Sequence, residues 1–179
     1  MNTAKKLLVK SLLKWQNDLE KFEPPMPFVF EINSSMLDNP LKIKEFLKKI
    51  KSIDGSCIYK ILIQNKNYCD LIKKKFDQFQ IDNKLKEKGI KRHVSRFMKE
   101  ESECIYVGSK RKNIAQRINQ HLGYGTARTY SLDLRFWFPP KIKIIIEIYM
   151  VKLDNDLLVA LEQKMWANSK PMFGKQGGL

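Results

Sequence analysis

Two short apolar runs, each containing a tyrosine, restrict the fold of this chain more than any other feature. One run extends from Cys57 to Ile63 after the turn signal Asp54-Gly55-Ser56, and the other extends from Cys104 to Gly108. Runs of this length that are rich in β-branched residues predict strands. A third, isoleucine-rich strand is predicted from Lys141 to Val151. Because helical patterns follow the second and third runs, the order predicts a small α/β (α+β) sandwich built on a short, mostly antiparallel sheet.

The chain before the first run predicts an N-terminal extension over residues 1–52. Apolar residues recur at helical spacing over residues 3–22 with lysines between them, which indicates a basic amphipathic helix. A short strand is predicted from Phe28 to Ile32, and a helix from Pro40 to Lys51. We assign residues 53–179 to the main domain.

A lysine-rich insertion over about residues 66–102 separates the first two strands. Its apolar residues recur at roughly helical spacing, so we predict a helical insertion with a break at Gly89. Its basic residues include Lys91, Arg92 and Arg96. They form either a solvated helix face or an arm that contacts phosphates, and the sequence favours neither.

Two further helices are predicted in the second half of the chain. Asn113 to Leu122 has helical spacing and is followed by Gly123, which is typical of a helix C-terminus. Asp154 or Asn155 can cap a last helix that runs from about 156 to 168.

The charge of the chain favours a polyanionic partner. The net charge is +15 and the sequence pI is about 9.7, which suits nucleic acid or an anionic membrane. From residue 104 onward there are twelve Lys and Arg residues against five Asp and Glu residues, so the excess is greatest in that region.

Composition argues against several other classes of protein. With 43% apolar residues the chain can bury a core. Three cysteines without a CxxC pair argue against a structural zinc site. No segment approaches the ~20 apolar residues of a membrane span. We therefore expect a cytoplasmic protein without stable membrane association.

The two tyrosine runs resemble the paired tripeptides of the GIY-YIG nuclease superfamily. Cys57-Ile58-Tyr59 stands for the first tripeptide and Tyr106-Val107-Gly108 for the second, and the resemblance extends over roughly residues 55–175. It implies a small sheet of about three antiparallel strands flanked by helices. It also implies a metal-dependent endonuclease that hydrolyses phosphodiester bonds of DNA, with RNA not excluded as a partner.

The resemblance also implies roles for individual residues. Tyr59 and Tyr106 match the tyrosines that orient or deprotonate the attacking water. Arg117 matches the arginine that binds the scissile phosphate, and Glu162 matches the glutamate that holds one Mg²⁺ or Mn²⁺ ion. His121 lies four residues after Arg117, on the same helix face, where it can serve as a second phosphate contact or a base.

Basic side chains near these positions are candidates for contacts with the nucleic-acid backbone. They are Lys110, Arg111, Lys112, Arg128 and Arg135, together with Lys91, Arg92 and Arg96 of the insertion.

The sequence departs from the family pattern at several points, of which Val107 in place of isoleucine is the smallest. Cys57 replaces a glycine, and Gly174 stands where the family often has an asparagine. The gap between the tripeptides is far longer than usual, and the spacing from Gly108 to Arg117 is about one residue longer.

Two other hypotheses stay open. One is a nucleic-acid-binding protein of the same fold with little or no catalysis, which would be favoured if Tyr59, Tyr106, Arg117 and Glu162 did not converge on one cleft. The other is a protein that binds a membrane surface or a partner through residues 3–22. The same segment is a candidate for a homodimer contact.

Overall fold

Four strands form one antiparallel sheet in a computed structural model of the chain. The structure describes residues 2–23, 25–85, 91–98 and 100–175. The strands are β1 (Phe28–Asn33), β2 (Cys57–Ile63), β3 (Cys104–Lys110) and β4 (Lys143–Met150). Their spatial order is β1-β4-β2-β3, so β1 and β3 are the edge strands.

Five α-helices flank the sheet within the described residues. They are α1 (Asn2–Glu20), α2 (Pro40–Lys51), α3 (Cys69–Leu85), α4 (Ile114–Asn119) and α5 (Asn155–Ser169). The Asp154 carboxylate caps α5 by accepting a hydrogen bond from the Leu157 backbone N–H at 3.1 Å. A π-helical turn continues α4 from Gln120 to Tyr124, and Gly123 in it has a φ of 100°, which favours glycine.

Helices pack on both faces of the sheet, and on the second face they cover the part near β2 and β3. On one face it packs against α2, α3 and α4, which contribute the buried residues Ile43, Phe76 and Ile118. On the other face it packs against α5, where Val107 and Leu158 belong to a second buried cluster. β3 therefore lies at an edge that helices approach from both sides.

The predicted fold class and most of the predicted elements are confirmed. β2 and β3 pair as antiparallel neighbours, and the chain between them forms the insertion. The strand count is four instead of about three, because β1 pairs with β4. Part of the predicted N-terminal extension thus belongs to the same sheet. The predicted domain boundary near residue 52 and the predicted homodimer stay predictions.

The insertion is helical only in its first part. α3 confirms the helix, and the predicted break at Gly89 lies outside the described residues. The helical prediction is wrong for residues 91–98, where Val94 bridges to Ser131 and Phe97 bridges to Phe173. The segment is extended because its backbone pairs with two other parts of the chain. Among the described residues, none of the helices has both the length and the apolar character needed to cross a membrane.

Candidate active site

The two tyrosines lie on one face of adjacent strands. In the β2–β3 register Tyr59 is opposite Gly108, and Tyr106 is opposite Ile61. Their rings stack with centroids 6.0 Å apart and an interplanar angle of 24°. The alternation of strand side chains accounts for this arrangement, since residues two apart share a face.

Gly108 makes room for both rings. A Cβ atom at this position would lie 2.7 Å from the Tyr59 hydroxyl oxygen and 2.8 Å from a ring carbon of Tyr106. Real Cβ atoms do not come this close to other atoms, so any side chain at position 108 would displace a tyrosine. The glycine of the second tripeptide therefore has a steric role in the site.

Arg117 joins the two hydroxyl groups from α4. Its Nε donates to the Tyr59 hydroxyl oxygen at 3.2 Å, and its Nη2 donates to that of Tyr106 at 3.4 Å. Its Nη1 donates to the Gln120 side-chain oxygen at 3.1 Å and to the Tyr130 carbonyl at 3.0 Å. Arg117 has five N–H groups. One on Nη2 is without a partner among the described residues, and a phosphate oxygen would bind there.

His121 lies behind Tyr59 and is fully buried. Its Nδ1 accepts a hydrogen bond from the Leu132 backbone N–H at 3.2 Å, and its Nε2 lies 2.9 Å from the Tyr59 hydroxyl oxygen. Because a backbone N–H can only donate, the proton of the neutral ring is on Nε2 and points to Tyr59. Burial, and secondarily the charge of Arg117, hold the pKa of His121 well below its ordinary value.

This geometry distinguishes the two tyrosines. Tyr59 is 1% exposed, and its pKa is raised well above the ordinary value, first by burial and then by Tyr106. Tyr59 is therefore protonated at neutral pH and accepts hydrogen bonds from His121 and Arg117. Tyr106 is half-buried, so it is the tyrosine of the pair that solvent reaches. For His121, burial favours a positioning role, and a role as base or phosphate contact stays a prediction.

Glu162 approaches the same strand from α5. Ser109, three residues after Tyr106, donates a hydrogen bond from its hydroxyl to the Glu162 carboxylate. Burial raises the pKa of Glu162, while the Ser109 hydrogen bonds and the charge of Arg117 lower it in part. The Glu162 carboxylate is thus connected to the tyrosines in two ways. Its partner Ser109 belongs to the same strand as Tyr106, and the charge of Arg117 acts on the carboxylate.

The environment of Glu162 fits a single divalent cation. Burial outweighs the hydrogen bonds and the nearby positive charge, so the ionised carboxylate lacks full compensation, and a cation would supply it. Mg²⁺ keeps several waters and needs only one or two carboxylates. Among the described residues no three His, Cys, Asp or Glu side chains cluster as a multidentate site. A metal here would therefore rest on Glu162 and water.

The predicted phosphate contacts fall into two groups. Three are engaged with other side chains: Arg92 with Asp133, Arg111 with Asn155, and Arg135 with Asp38. The other five are exposed and, among the described residues, have no side-chain hydrogen bond or ion pair: Lys91, Arg96, Lys110, Lys112 and Arg128. An open cleft of about 590 Å³ lies beside Ser109 and is lined partly by Lys110 and Lys112. These five side chains are therefore better placed than the three engaged ones to contact a nucleic-acid backbone.

The two departures from the tripeptide and asparagine patterns have structural consequences. Cys57 is fully buried and packs as a small apolar side chain, with burial raising its pKa to about 11. Gly174 has a φ of 113°, and a Cβ there would lie 3.4 Å from the Tyr106 ring and 3.5 Å from the Trp166 indole nitrogen. That buried nitrogen is without a hydrogen-bond partner in the described part of the chain. A side chain at position 174 would therefore lie between the Tyr106 ring and the Trp166 indole.

The comparison with protein families agrees with this geometry. Residues 91–175 match the family model of the GIY-YIG catalytic domain. This part of the chain is similar to the catalytic domain of the GIY-YIG nuclease superfamily. The match covers just under half of the chain and begins after β2, so Tyr59 enters the site from outside the matched segment. No curated protein and no solved structure matches the chain.

The family is that of a nuclease-type catalytic domain, and nucleic acids are the substrates of such domains. Tyr59 contacts Tyr106, His121 and Arg117, whereas the contact of Glu162 is with Ser109, on the α5 side of β3. The convergence of Tyr59, Tyr106, Arg117 and Glu162 on one cleft therefore stays a prediction.

Sequence reasoning missed several residues that shape the site. Ser109 could have been found, since strand alternation places it on the face that α5 covers, opposite to Tyr106. Gln120 lies three residues after Arg117, on the same helix face. The contact between Arg117 and the Tyr130 carbonyl leaves no signal in the sequence, because every residue has a carbonyl group.

Proposed function

We propose that the protein is a metal-dependent endonuclease that hydrolyses phosphodiester bonds in DNA. The observation that carries this proposal is the Arg117 guanidinium, which contacts both tyrosine hydroxyls and has one Nη2 N–H without a partner among the described residues. A cationic donor fixed beside a hydroxyl is what a phosphoryl transition state requires.

The roles of the side chains follow from their contacts. Arg117 binds a non-bridging oxygen of the scissile phosphate through Nη2. Tyr106 orients the attacking water, because it is the tyrosine of the pair that solvent reaches. Tyr59 stays protonated and, with His121 behind it, fixes the Arg117 side chain. Glu162 would hold Mg²⁺ or Mn²⁺, which supplies positive charge to the developing oxyanion.

The proposal is tested by cleavage of supercoiled, branched and single-stranded DNA in Mg²⁺, Mn²⁺ or EDTA. We expect cleavage with either metal, and a loss of at least about 100-fold for Arg117→Ala and for Glu162→Gln. The matched controls are Lys48→Ala and Glu45→Gln, both at exposed positions of α2, and these should cleave like the wild type.

Two results would contradict the proposal. Full activity of Glu162→Gln in Mg²⁺ would remove the metal assignment. A wild-type protein that binds DNA but cleaves none of the substrates would favour the catalytically inactive binding protein, for which the replacement of asparagine by Gly174 is the structural motive.

A further inference from the structure

An exposed tyrosine lies directly beside the phosphate-binding arginine. The side chain of Tyr130 is outside the predicted set of site residues, and the residue is 67% exposed. Its carbonyl accepts a hydrogen bond from Arg117 Nη1 at 3.0 Å. The backbone that carries this ring is therefore held by the side chain that would bind the scissile phosphate.

A second ring extends this aromatic surface. His93 is also exposed, and its ring centroid lies 5.0 Å from that of Tyr130, at an interplanar angle of 56°. The two residues belong to different segments, one in the insertion and one in the loop after the π-helical turn. We refer to Tyr130 and His93 as the aromatic ledge.

Backbone pairing fixes the ledge. The His93 N–H donates to the Ala127 carbonyl at 2.8 Å, and the Ser131 N–H donates to the His93 carbonyl at 3.3 Å. The Ser95 N–H donates to the Ser131 carbonyl at 2.9 Å. Both aromatic residues are thus bracketed by hydrogen bonds, although their rings are exposed.

A buried ion pair supports the ledge from below. Asp133 is fully buried and accepts hydrogen bonds from Ser131 Oγ at 2.9 Å and from Arg92 Nη1 at 3.0 Å. The side-chain amide of Asn83 binds both the N–H and the carbonyl of Arg92. Burying a charged pair is costly and contributes little net stability, so such a pair suits a loop whose conformation must be unique.

The surroundings of the ledge are basic. Residues 91–98 and 126–132 contain no Asp or Glu. Lys91, Arg96 and Arg128 on these segments are exposed. Exposed aromatic rings among cations next to a phosphate site are the arrangement by which proteins hold unpaired nucleotides, since bases stack on the rings while cations contact the backbone.

We propose that the aromatic ledge stacks an unpaired nucleobase of the nucleotide next to the phosphate at Arg117. The substrate would then be single-stranded or would contain an unpaired nucleotide at the cleavage point. A base within a continuous duplex has neighbours on both faces and cannot stack on a side chain unless it leaves the helix. This inference rests on the proposed function, because the phosphate at Arg117 sets the position of the base.

Binding measured in EDTA tests the ledge without cleavage. Fluorescence anisotropy would compare a single-stranded DNA oligonucleotide, a duplex with one bulged nucleotide, and a fully paired duplex. We expect Tyr130→Ala to weaken binding of the first two by about tenfold and of the paired duplex by less than about twofold. Tyr130→Phe keeps the ring and should bind all three like the wild type. The thermal unfolding midpoint of each variant checks that the fold is retained.

A fluorescent base locates the contact. With 2-aminopurine as the bulged nucleotide, the wild type and Tyr130→Phe should quench its emission, and Tyr130→Ala should not. Equal weakening on all three nucleic acids, no weakening by Tyr130→Ala, or no binding by the wild type would each overturn the ledge. If the ledge results hold but no DNA is cleaved with metal present, the proposed function fails and base binding stands. If cleavage occurs but Tyr130→Ala behaves like the wild type, the ledge alone fails.

Discussion

Two polar networks lie close together in this protein. They differ in whether the charge of their arginine is available to a ligand. The tyrosine network consists of Tyr59, Tyr106, Arg117 and His121. The loop network consists of Asn83, Arg92, Ser131 and Asp133. Each contains one arginine, and the partners of that arginine determine the difference between them.

In the tyrosine network the arginine is surrounded by neutral groups. Burial raises the pKa of Tyr59 and lowers that of His121, so neither carries charge at neutral pH. The positive charge of Arg117 is thus uncompensated by these partners and can act on a phosphate. In the loop network the charge of Arg92 is compensated by Asp133, which is fully buried. The first arrangement suits chemistry and the second suits support of a loop.

The strongest test of this difference is the removal of Arg92. Arg92→Ala leaves the Asp133 carboxylate buried without its cation, and we expect the free energy of unfolding to fall by about 3 kcal/mol. The control is Arg135→Ala, whose partner Asp38 has an 85% exposed side chain, and there the expected loss is below about 1 kcal/mol. Urea denaturation measures both. Equal losses would show that the loop network has no special role in stability.

The tyrosine network is tested by Gly108→Ala. The added Cβ would overlap the Tyr59 hydroxyl and the Tyr106 ring, so one of them must move. We expect DNA cleavage to fall by about 100-fold, since a displacement near 1 Å at an active site has effects of this size. Val107→Ala removes a neighbouring buried side chain on the other face of β3 and should lose stability with little loss of cleavage at low temperature. If a Gly108→Ala variant cleaves DNA at the wild-type rate, the positions of the two tyrosines do not determine the rate of cleavage.

The tyrosine network could be predicted from the sequence because its residues belong to motifs on regular elements. The resemblance to the GIY-YIG superfamily implies Tyr59, Tyr106 and Arg117 as site residues. Strand alternation and helical spacing then indicate which side chains share a face, including His121 with Arg117. The burial of His121 could not be predicted, because it depends on the Leu132 N–H and on a loop without a motif.

The loop network could not be predicted because its contacts join distant residues. The basic run that contains Arg92 looked like part of a helix or an arm, and only its pairing with the loop around Ser131 shows otherwise. The position of the edge strand β1 in the sheet could not be predicted for the same reason. Its strand character was evident from residues 28–32, but its place beside β4 depends on partners elsewhere in the chain.

The last and smallest effect concerns the neutral state of His121. Its folded-state pKa lies well below the ordinary value of ~6.5 that the unfolded chain has, chiefly because the ring is buried. Below about pH 6.5 the unfolded state therefore binds one more proton than the folded state. The stabilising contribution is present above that pH and is lost as the pH falls toward the folded-state pKa, with a limiting slope of about 1.4 kcal/mol per pH unit.

His121→Gln isolates this contribution, because glutamine keeps a hydrogen-bonding side chain but does not titrate in this range. Urea denaturation of both proteins between pH 7.5 and 5 would give the difference in the free energy of unfolding at each pH. Carboxylate titrations common to both proteins cancel in that difference. We expect the wild type to lose its advantage over the variant as the pH falls, with the slope derived above. Parallel curves would mean that His121 takes up a proton in the folded state. The Leu132 N–H would then oppose a second N–H, and the assigned direction of the hydrogen bond to Tyr59 would be wrong.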